Sequence, residues 1–215
     1  MDRLLLGIDA LAFLEEEGLP VLESSLAKHV DAAVSIASRM RFPVALKISS
    51  PNVVHKTEFG GIRLPLHSES EVREAFHELA DTFLSSNPQA NLEGVIVQKL
   101  GKGFELIVGT MKDEQFGPVL MVGSGGIFVE AINDTSFRLI PIEGTDAREM
   151  IEELRGCKVL KNQRTMTVDL ATIESFLLQT STLAESHPEI HEMDLNPVFV
   201  SADGIAVCDA RIRMG

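Results

Sequence analysis

The amino-acid sequence predicts an α+β fold whose strands pair mainly antiparallel in the second half of the chain. Three apolar, β-branched runs, at 94–100, 104–111 and 118–123, are separated by glycine-containing turns, which favours one sheet. Two further runs, at 192–200 and 204–212, are joined by a Ser-Ala-Asp-Gly turn of the kind that closes a hairpin. No regularly alternating helix–strand units surround these runs, so a parallel α/β sheet is not indicated.

Two helices and two strands are predicted before residue 67. The first helix ends at Gly18, because glycine is common just beyond a helix and Pro20 follows it. The second helix ends before Pro43, and the apolar run 44–48 then predicts a strand. Residues 49–61 form a polar loop, after which the next five residues return as a strand. The apolar face of the second helix consists of Ala33, Ile36, Ala37 and Met40.

A third helix and a lobe boundary follow. Ser68 and Glu71 form a capping-box pattern at the start of this helix. The polar stretch 85–94 is the best candidate for a boundary. We therefore expect one domain, 1–215, with lobes at 20–90 and 91–215 and the N-terminal helix packing on the second lobe. The apolar face of the third helix consists of Val72, Ala75, Phe76, Leu79 and Phe83.

The remaining helical patterns lie at 145–156 and 167–188. The longer one has an apolar side formed by Leu170, Ile173, Leu177, Thr180 and Ala184. Ahead of them, the glycine-rich stretch 123–126 does not match the dinucleotide fingerprint and reads equally well as a hairpin turn. Glu130, Asp134 and Arg138 are spaced four apart, so they could form a solvated helix face with ion pairs.

Composition excludes several functional classes. The chain has 215 residues, is 45% hydrophobic and carries a formal net charge of −13. That charge repels polyphosphate backbones and anionic membranes, so we expect neither nucleic-acid nor membrane binding. No apolar run is long enough to span a bilayer, and the N-terminus lacks the features of a signal peptide. Cys157 and Cys208 fit neither a metal spacing nor a CxxC pair, which favours reduced thiols in a cytoplasmic protein.

A basic, glycine-containing loop is the first candidate site. Lys47 lies in a predicted strand, where a lysine is often only a surface residue, but the loop that follows adds His55, Lys56, Gly60 and Gly61. Backbone N–H groups at the glycines and the two lysine charges could together bind a polyphosphate. His55 is either a surface histidine or a nucleophile that accepts a phosphoryl group.

Acidic and amide side chains in the C-terminal hairpin are the second candidate site. Glu192, Asp194 and Asn196 alternate along one strand, which places them on one face. A hairpin that closes at 203–204 brings Asp209 close to Asn196 on the neighbouring strand. Oxygen ligands of this kind suit Mg²⁺, which takes one or two protein oxygens together with phosphate oxygens. A solvent-facing polar side of an edge hairpin is the alternative.

These motifs together resemble the ATP-grasp β subunit, or fused β domain, of ADP-forming acyl-CoA synthetases, which are relatives of the succinyl-CoA synthetase β subunit. Four ordered segments carry the resemblance: 46–64, 105–142, 188–200 and 203–212. The resemblance implies an ATP-grasp fold of two α+β lobes with the nucleotide between them. It implies ATP or ADP with Mg²⁺ as cofactors, and an α-type partner subunit that carries the CoA-binding and ligase domains.

The resemblance also implies roles for individual residues. His55 is similar to the histidine that is transiently phosphorylated, and Asp194 to the acid that orients a phosphohistidine. Asn196 and Asp209 resemble the Mg²⁺ ligands. The nucleotide-binding set that it implies consists of Lys47 on the phosphates, the loop residues Lys56, Gly60 and Gly61, the hinge residues Gln98 and Leu100 at the adenine, and Glu105 facing the nucleotide.

One segment departs from the family pattern. The stretch 161–169 retains Arg164 but lacks the neighbouring glycines. Two alternatives remain open at this point: a stand-alone ATP-grasp carboxylate–amine ligase, and a nucleotide-sensing module of an acetyltransferase-type system. The implied reaction is acyl-CoA + ADP + phosphate ⇌ acid + CoA + ATP, of which this chain would carry out the phosphoryl transfer at the nucleotide.

Overall fold

The structure is a computed structural model that describes residues 3–51, 60–86, 89–126, 134–156 and 169–215. Its elements in chain order are β1 (Arg3–Leu6), α1 (Ile8–Glu16), β2 (Ser24–Ala27), α2 (Val30–Met40), β3 (Val44–Ser49), β4 (Ile62–Leu66), α3 (Glu69–Ser86), β5 (Gly94–Lys99), β6 (Phe104–Asp113), β7 (Gly117–Ser124), β8 (Thr135–Leu139), α4 (Gly144–Glu153), α5 (Leu170–Ser186), β9 (Ile190–Ser201), β10 (Gly204–Val207) and β11 (Ala210–Met214).

The chain divides into two units. The larger unit comprises Met1–Val21 and Gly101–Gly215, and the smaller unit comprises Leu22–Leu100. The division near the middle of the chain falls at Leu100/Gly101 rather than at the expected 90/91. The reason is that β5 pairs with β2 and β3, so it belongs to the smaller unit. Helix α1 belongs to the larger unit, as expected for the N-terminal helix.

The smaller unit is a four-stranded antiparallel sheet in the order β2-β5-β3-β4. Helices α2 and α3 pack on the face that carries Leu46, Ile48 and Val97. The predicted capping box at α3 forms in a modified way. The Ser68 hydroxyl accepts from the Glu71 N–H at 3.3 Å, while the Glu71 carboxylate accepts from the His67 N–H at 2.9 Å.

The larger unit contains a seven-stranded sheet in the order β1-β11-β9-β6-β7-β8, with β10 paired to β9. Helices α1, α4 and α5 place their buried residues in one core cluster with Leu106, Leu120 and Met193 of the sheet. We call this the core face of the sheet and the opposite side the outer face. The predicted apolar side of α5 lies in this core; Ile173 and Leu177 are fully buried.

Three expectations about this unit are corrected. The runs at 94–100, 104–111 and 118–123 do not share a sheet, because β5 lies in the four-stranded sheet whereas β6 and β7 pair in the seven-stranded one. The run 204–212 forms two strands instead of one, since β10 and β11 pair with successive halves of β9.

The helix-face interpretation of Asp134 and Arg138 is also wrong. Asp134 precedes β8, and Arg138 lies within it. Arg138 donates to Glu153 of α4 at 2.7 Å and to Glu149 at 3.3 Å. The ion pairs therefore join a strand to a helix. Glu130 and Cys157 lie outside the described residues, and Cys208 is buried. No helix among the described residues is long and apolar enough to cross a membrane.

Candidate functional site

Lys47 is a buried cation on the sheet of the smaller unit. Its side chain is only 6% exposed, and its Cα lies opposite Ile96 of β5 and Ile62 of β4. Its neighbours in sequence, Leu46 and Ile48, point into the core with α2 and α3. Since side chains alternate along a strand, Lys47 lies on the face opposite α2 and α3. Lys47 is therefore buried and not a solvent-exposed surface residue, and its contact with nucleotide phosphates stays a prediction.

Gln98 and Leu100 mark the end of the smaller unit. Gln98 is 1% exposed, and its amide donates to the Ser24 hydroxyl at 2.8 Å. The register of β3 and β5 places it on the same face as Lys47. Leu100 follows β5 and is half-buried. The side chain of Gln98 therefore joins β5 to β2.

The loop predicted to bind phosphate is described only at its end. His55 and Lys56 lie outside the described residues. Gly60 has φ +64°, a backbone conformation that favours glycine. The Gly60 carbonyl accepts from the Arg63 guanidinium at 2.8 Å, and the Gly61 carbonyl accepts from the Ile48 N–H at 2.9 Å. These bonds join the loop end to β3 immediately beside Lys47.

Glu105 lies in the larger unit beneath a glycine-rich turn. It occupies β6 opposite Phe199 of β9, and its carbonyl accepts from the Gly125 N–H at 2.6 Å. A Cβ at Gly125 would come within 2.7 Å of the Cβ of Glu105, so only glycine permits this approach. Gly125, which directly follows the end of β7 at Ser124, thus packs against the candidate nucleotide-facing acid.

Asp134 anchors that turn, which the sequence did not predict. Its carboxylate accepts from the Ser124 hydroxyl at 2.5 Å and from the Arg155 and Gly156 N–H groups at 2.7 and 2.8 Å. Burial raises the pKa of Asp134, but these three hydrogen bonds lower it more, so its pKa lies below the ordinary value. The partners at 155–156 are far along the chain, and no local pattern indicates them.

A β-bulge shapes the C-terminal candidate site. Val108 of β6 pairs with Leu195 and Leu106 pairs with Val198, so Asn196 and Pro197 together oppose one residue. The extra residue keeps Leu195 and Val198 both in the core. The backbone N–H of Asn196 donates to the carbonyl of Asp209 at 3.0 Å, which confirms that the two residues are neighbours. The side chain of Asn196 is exposed and that of Asp209 is half-buried.

Asp194 lies on the outer face, two residues before the bulge. Its Cα pairs with Arg211 of β11 on one side and Gly109 of β6 on the other. Burial raises the pKa of the Asp194 carboxyl above its ordinary value, and the Glu192 carboxylate raises it further. The Arg211 guanidinium lowers the pKa, and Asp209 adds a smaller upward shift. The charges of Glu192, Arg211 and Asp209 therefore all shift the pKa of Asp194.

Arg211 is the second residue that the sequence analysis missed. Its Nε is buried and has no hydrogen-bond partner among the described residues. The alternation of Asp209 and Arg211 was visible in the sequence, but the pairing of Arg211 with Asp194 depends on the strand break at Cys208 and Asp209. A buried, unsatisfied donor beside an acid is the kind of group that marks a functional position.

The donor set fits magnesium held jointly with a nucleotide. Asp209 supplies a carboxylate and Asn196 an amide oxygen from adjacent backbone positions. Among the described residues, no group of three or more His, Cys, Asp or Glu side chains is placed to hold a metal. Mg²⁺ is commonly bound through one or two protein oxygens, with phosphate and water completing its shell. Two protein oxygens therefore suit a metal–nucleotide complex better than a metal bound by protein alone.

Comparison with known proteins decides the family. Residues 1–214 match the ATP-grasp domain family. The chain belongs to the ATP-grasp family. The ATP-grasp fold expected from the motifs is thereby confirmed, and so is the resemblance to ADP-forming acyl-CoA synthetases, because the similar proteins carry those names.

Two curated proteins illustrate the relationship of this ATP-grasp domain. The subunit beta of ADP-forming acetate–CoA ligase I from Pyrococcus furiosus is 38% identical over 98% of this chain and 92% of its own length. The ADP-forming acetate–CoA ligase I of Archaeoglobus fulgidus is 42% identical over 97% of this chain, which spans 31% of that protein. The same domain thus occurs both as a separate chain and within a longer one.

Solved structures agree with the ATP-grasp assignment. The dinucleotide-forming acetyl-coenzyme A synthetase 1 of Ca. Korarchaeum cryptofilum, in complex with coenzyme A and Ca-AMPCP, has a TM-score of 0.94 and 42% identity, covering 99% of this chain and 94% of its own. The same protein with coenzyme A and Mg-AMPPCP has a TM-score of 0.85 and 39% identity, covering 99% of this chain and 93% of its own. In that structure the phosphohistidine segment points towards the nucleotide binding site.

Proposed function

We propose that this chain is the ATP-grasp β subunit of an ADP-forming acyl-CoA synthetase. It would transfer a phosphoryl group between a phosphohistidine and ADP or ATP during the reaction acyl-CoA + ADP + phosphate ⇌ acid + CoA + ATP. The observation that carries the proposal is the bulge of β9. It holds Asn196 beside Asp209 and within two residues of the half-buried acid Asp194, in a chain similar to a β subunit over nearly its whole length.

The nucleotide would be bound by the residues that the resemblance to the acyl-CoA synthetases implies. Lys47 would contact the phosphates, because a cation that is only 6% exposed can balance their charge. Backbone groups of Gln98 and Leu100 would meet the adenine, and Glu105 would face the nucleotide. Lys56, Gly60 and Gly61 would supply further phosphate donors. The similarity to a synthetase that binds Mg-AMPPCP supports this assignment.

Asn196 and Asp209 would hold the magnesium ion of the metal–nucleotide complex. When bound, the ion would neutralise phosphate charge and orient the phosphate oxygens. Asp194 would accept a hydrogen bond from the histidine ring and so orient it. Because burial disfavours the charged form of Asp194, Arg211 opposite would maintain its negative charge.

The chemical step is an in-line phosphoryl transfer. A terminal oxygen of the ADP β-phosphate would form a bond to phosphorus while the nitrogen–phosphorus bond of the phosphohistidine breaks. The electron pair of that bond would return to the ring nitrogen, and the proton on the other ring nitrogen would keep the imidazole neutral. The protein contributes positioning and charge neutralisation. His55 would be the histidine of this chain that receives and returns the phosphoryl group.

The acyl chemistry would take place on an α-type subunit with CoA-binding and ligase domains. We infer a cytoplasmic assembly without nucleic acid or membrane partners, in agreement with the net charge of −13.

The test mixes this chain with the partner subunit of the P. furiosus ligase I and measures ATP formation that depends on acetyl-CoA. We expect ATP only when both proteins are present, with the P. furiosus β subunit as the positive control.

Three results would overturn the proposal. ATP formation from acetyl-CoA by this chain alone would mean that the acyl chemistry resides here. Hydrolysis of ATP that requires an amine and no second protein would instead identify a carboxylate–amine ligase. Nucleotide binding without any phosphoryl transfer, in the presence of an active partner, would identify a sensing module.

A further inference from the structure

The outer face of the seven-stranded sheet carries an apolar cluster at one edge. Cross-strand pairing places Met111 of β6, Val119 of β7 and Leu139 of β8 in one row. The next row contains Met121 and Phe137. We call these five residues the edge patch. Their neighbours in sequence, such as Leu120 and Val122, are buried in the core, so the alternation of the strands directs the edge patch outwards.

The edge patch is open to solvent to an unusual degree. Met111 is 58% exposed, Phe137 57% and Leu139 54%. Phe116, in the turn that joins β6 to β7, is 63% exposed. These four residues are the majority of the large hydrophobic residues recorded as exposed in the described part of the chain. A contiguous exposed apolar surface of this kind typically marks an interaction site.

The position of β8 strengthens this interpretation. It is the last strand in the order of the sheet, and among the described residues no further strand pairs with its outer edge. Exposed edge strands that carry hydrophobic residues are prone to unwanted pairing, and proteins normally cover or charge them. Helices α1, α4 and α5 cannot provide that cover, since their buried residues lie in the core cluster on the opposite face.

The edge patch is continuous with the candidate phosphoryl-transfer site. The row that contains Phe137 and Met121 continues through Gly109 to Asp194 and then Arg211. Neighbouring strands are about 4.8 Å apart, so Met121 lies about 10 Å from Asp194 across the sheet. Gly109 lies between Met121 and Asp194 and adds no side chain to the outer face there. A partner seated on the edge patch would thus be directed towards Asp194.

We propose that the edge patch is the docking surface for the α-type subunit, which would then lie beside Asp194 and the candidate phosphoryl-transfer site. This inference rests on the proposed function. The occupant follows from the arrangement of the similar proteins. The domain occurs in the similar proteins both as a separate β subunit and as 31% of a longer chain, so the rest of the ligase must contact it in either arrangement.

The test measures binding of this chain to the partner subunit of the P. furiosus ligase I by titration calorimetry. The variant Phe137→Ser/Leu139→Ser removes the apolar groups at the sheet edge. Because truncation of central apolar anchors commonly costs an interface tenfold or more in affinity, we expect Kd to rise at least about tenfold. The control variant Leu64→Ser/Leu84→Ser changes two leucines of the smaller unit that are 57% and 47% exposed, and we expect it to leave Kd unchanged.

Circular dichroism establishes that each variant is folded, and Met111→Ser provides a second test if the double variant is not. Equal affinity of the edge-patch variants and the unsubstituted chain would overturn the docking surface, as would a failure of the unsubstituted chain to bind. Self-association that the double variant abolishes would assign the surface to a second copy. Patch-dependent binding without acetyl-CoA-dependent ATP formation would keep the docking surface and overturn the proposed function.

Discussion

The backbone N–H of Asn196, in β9, donates at 3.0 Å to the carbonyl of Asp209, which lies between β10 and β11. The reciprocal bond, from the Cys208 N–H to the Pro197 carbonyl at 2.9 Å, lies one step nearer the turn between β9 and β10. The two candidate metal ligands are therefore fixed by the main chain, independently of their side chains. Changes of either side chain should alter ligand binding without disturbing the strand pairing.

Replacement of Asp209 should weaken binding of the magnesium–nucleotide complex specifically. Loss of one charged metal ligand corresponds to about 1–3 kcal/mol, or roughly a 5- to 150-fold higher Kd, in Asp209→Ala. Titration calorimetry with ADP in the presence and absence of Mg²⁺ measures the effect. The control is Asp203→Ala, in the exposed turn of the same hairpin. An Asp209 variant that binds MgADP as tightly as the parent would remove this residue from the site.

Replacement of Lys47 should weaken binding of ADP with or without magnesium, because its contact is with the phosphates themselves. Lys47→Met keeps the length of the buried side chain and removes the charge, so we expect the fold to be retained. A charge-assisted contact of about 1.5–3 kcal/mol gives roughly a 10- to 150-fold loss of affinity. Lys112→Met, at an exposed position of β6, is the matched control. An equal loss of affinity for ADP in Lys47→Met and Lys112→Met would indicate only a general effect of the removed charge.

The Asp134 variant Asp134→Asn should destabilise the larger unit. The amide cannot accept all three hydrogen bonds from Ser124, Arg155 and Gly156, so a buried donor loses its partner, at a cost of about 1–3 kcal/mol. Thermal unfolding of a chain this size should show a Tm about 2–4 °C lower for each kcal/mol. The control is Asp81→Asn, on the exposed side of α3.

The same variant should change the dependence of stability on pH. The pKa of Asp134 is lowered in the folded protein, so its contribution is present above its unfolded value of 3.8 and is lost as the pH falls through the folded pKa. We therefore expect the difference in Tm between the parent and Asp134→Asn to be constant near neutral pH. The difference should shrink as the pH falls below 3.8. A difference that grows on acidification would contradict the assignment.

Arg211 should affect phosphoryl transfer more than nucleotide binding. In Arg211→Met the carboxylate of Asp194 loses the cation opposite it, so the rate of phosphoryl transfer should fall about tenfold or more, while Kd for MgADP stays within about twofold. Rapid-quench measurement of label transfer separates the two quantities. Arg213→Met is the control, since Arg213 lies two residues further along β11, is exposed and pairs with Glu192 at 3.3 Å. A parallel rise in Kd for Arg211→Met would place Arg211 at the nucleotide instead.

Local patterns predicted most of the elements but not their long-range pairing. Helical periodicity and Pro43 located α2, and the turn near Gly204 brought Asn196 and Asp209 together, because each depends on residues close in sequence. The placement of β5 required knowledge that it pairs with β3, almost 50 residues earlier by sequence number. No local rule distinguishes that pairing from one with β6.

The two missed residues share a physical reason. Asp134 accepts hydrogen bonds from backbone groups at 155–156, and Arg211 lies beside Asp194 only because the strand breaks between β10 and β11. The role of each residue depends on contacts with residues distant in sequence, and the residues adjacent to it in sequence do not indicate those contacts. The resemblance to ADP-forming synthetases named the residues next to them, Glu105 and Asp209, because it rests on motifs in the sequence.

Phosphorylation of His55 tests the central claim most directly. The protein is incubated with γ-labelled ATP and Mg²⁺, and acid-labile, base-stable label is measured in the parent, in His55→Asn and in His67→Asn, whose histidine is exposed at the start of α3. We predict label in the parent and in His67→Asn and none in His55→Asn. Equal labelling of His55→Asn and the parent, or no label in any of the proteins with the partner subunit present, would contradict the account.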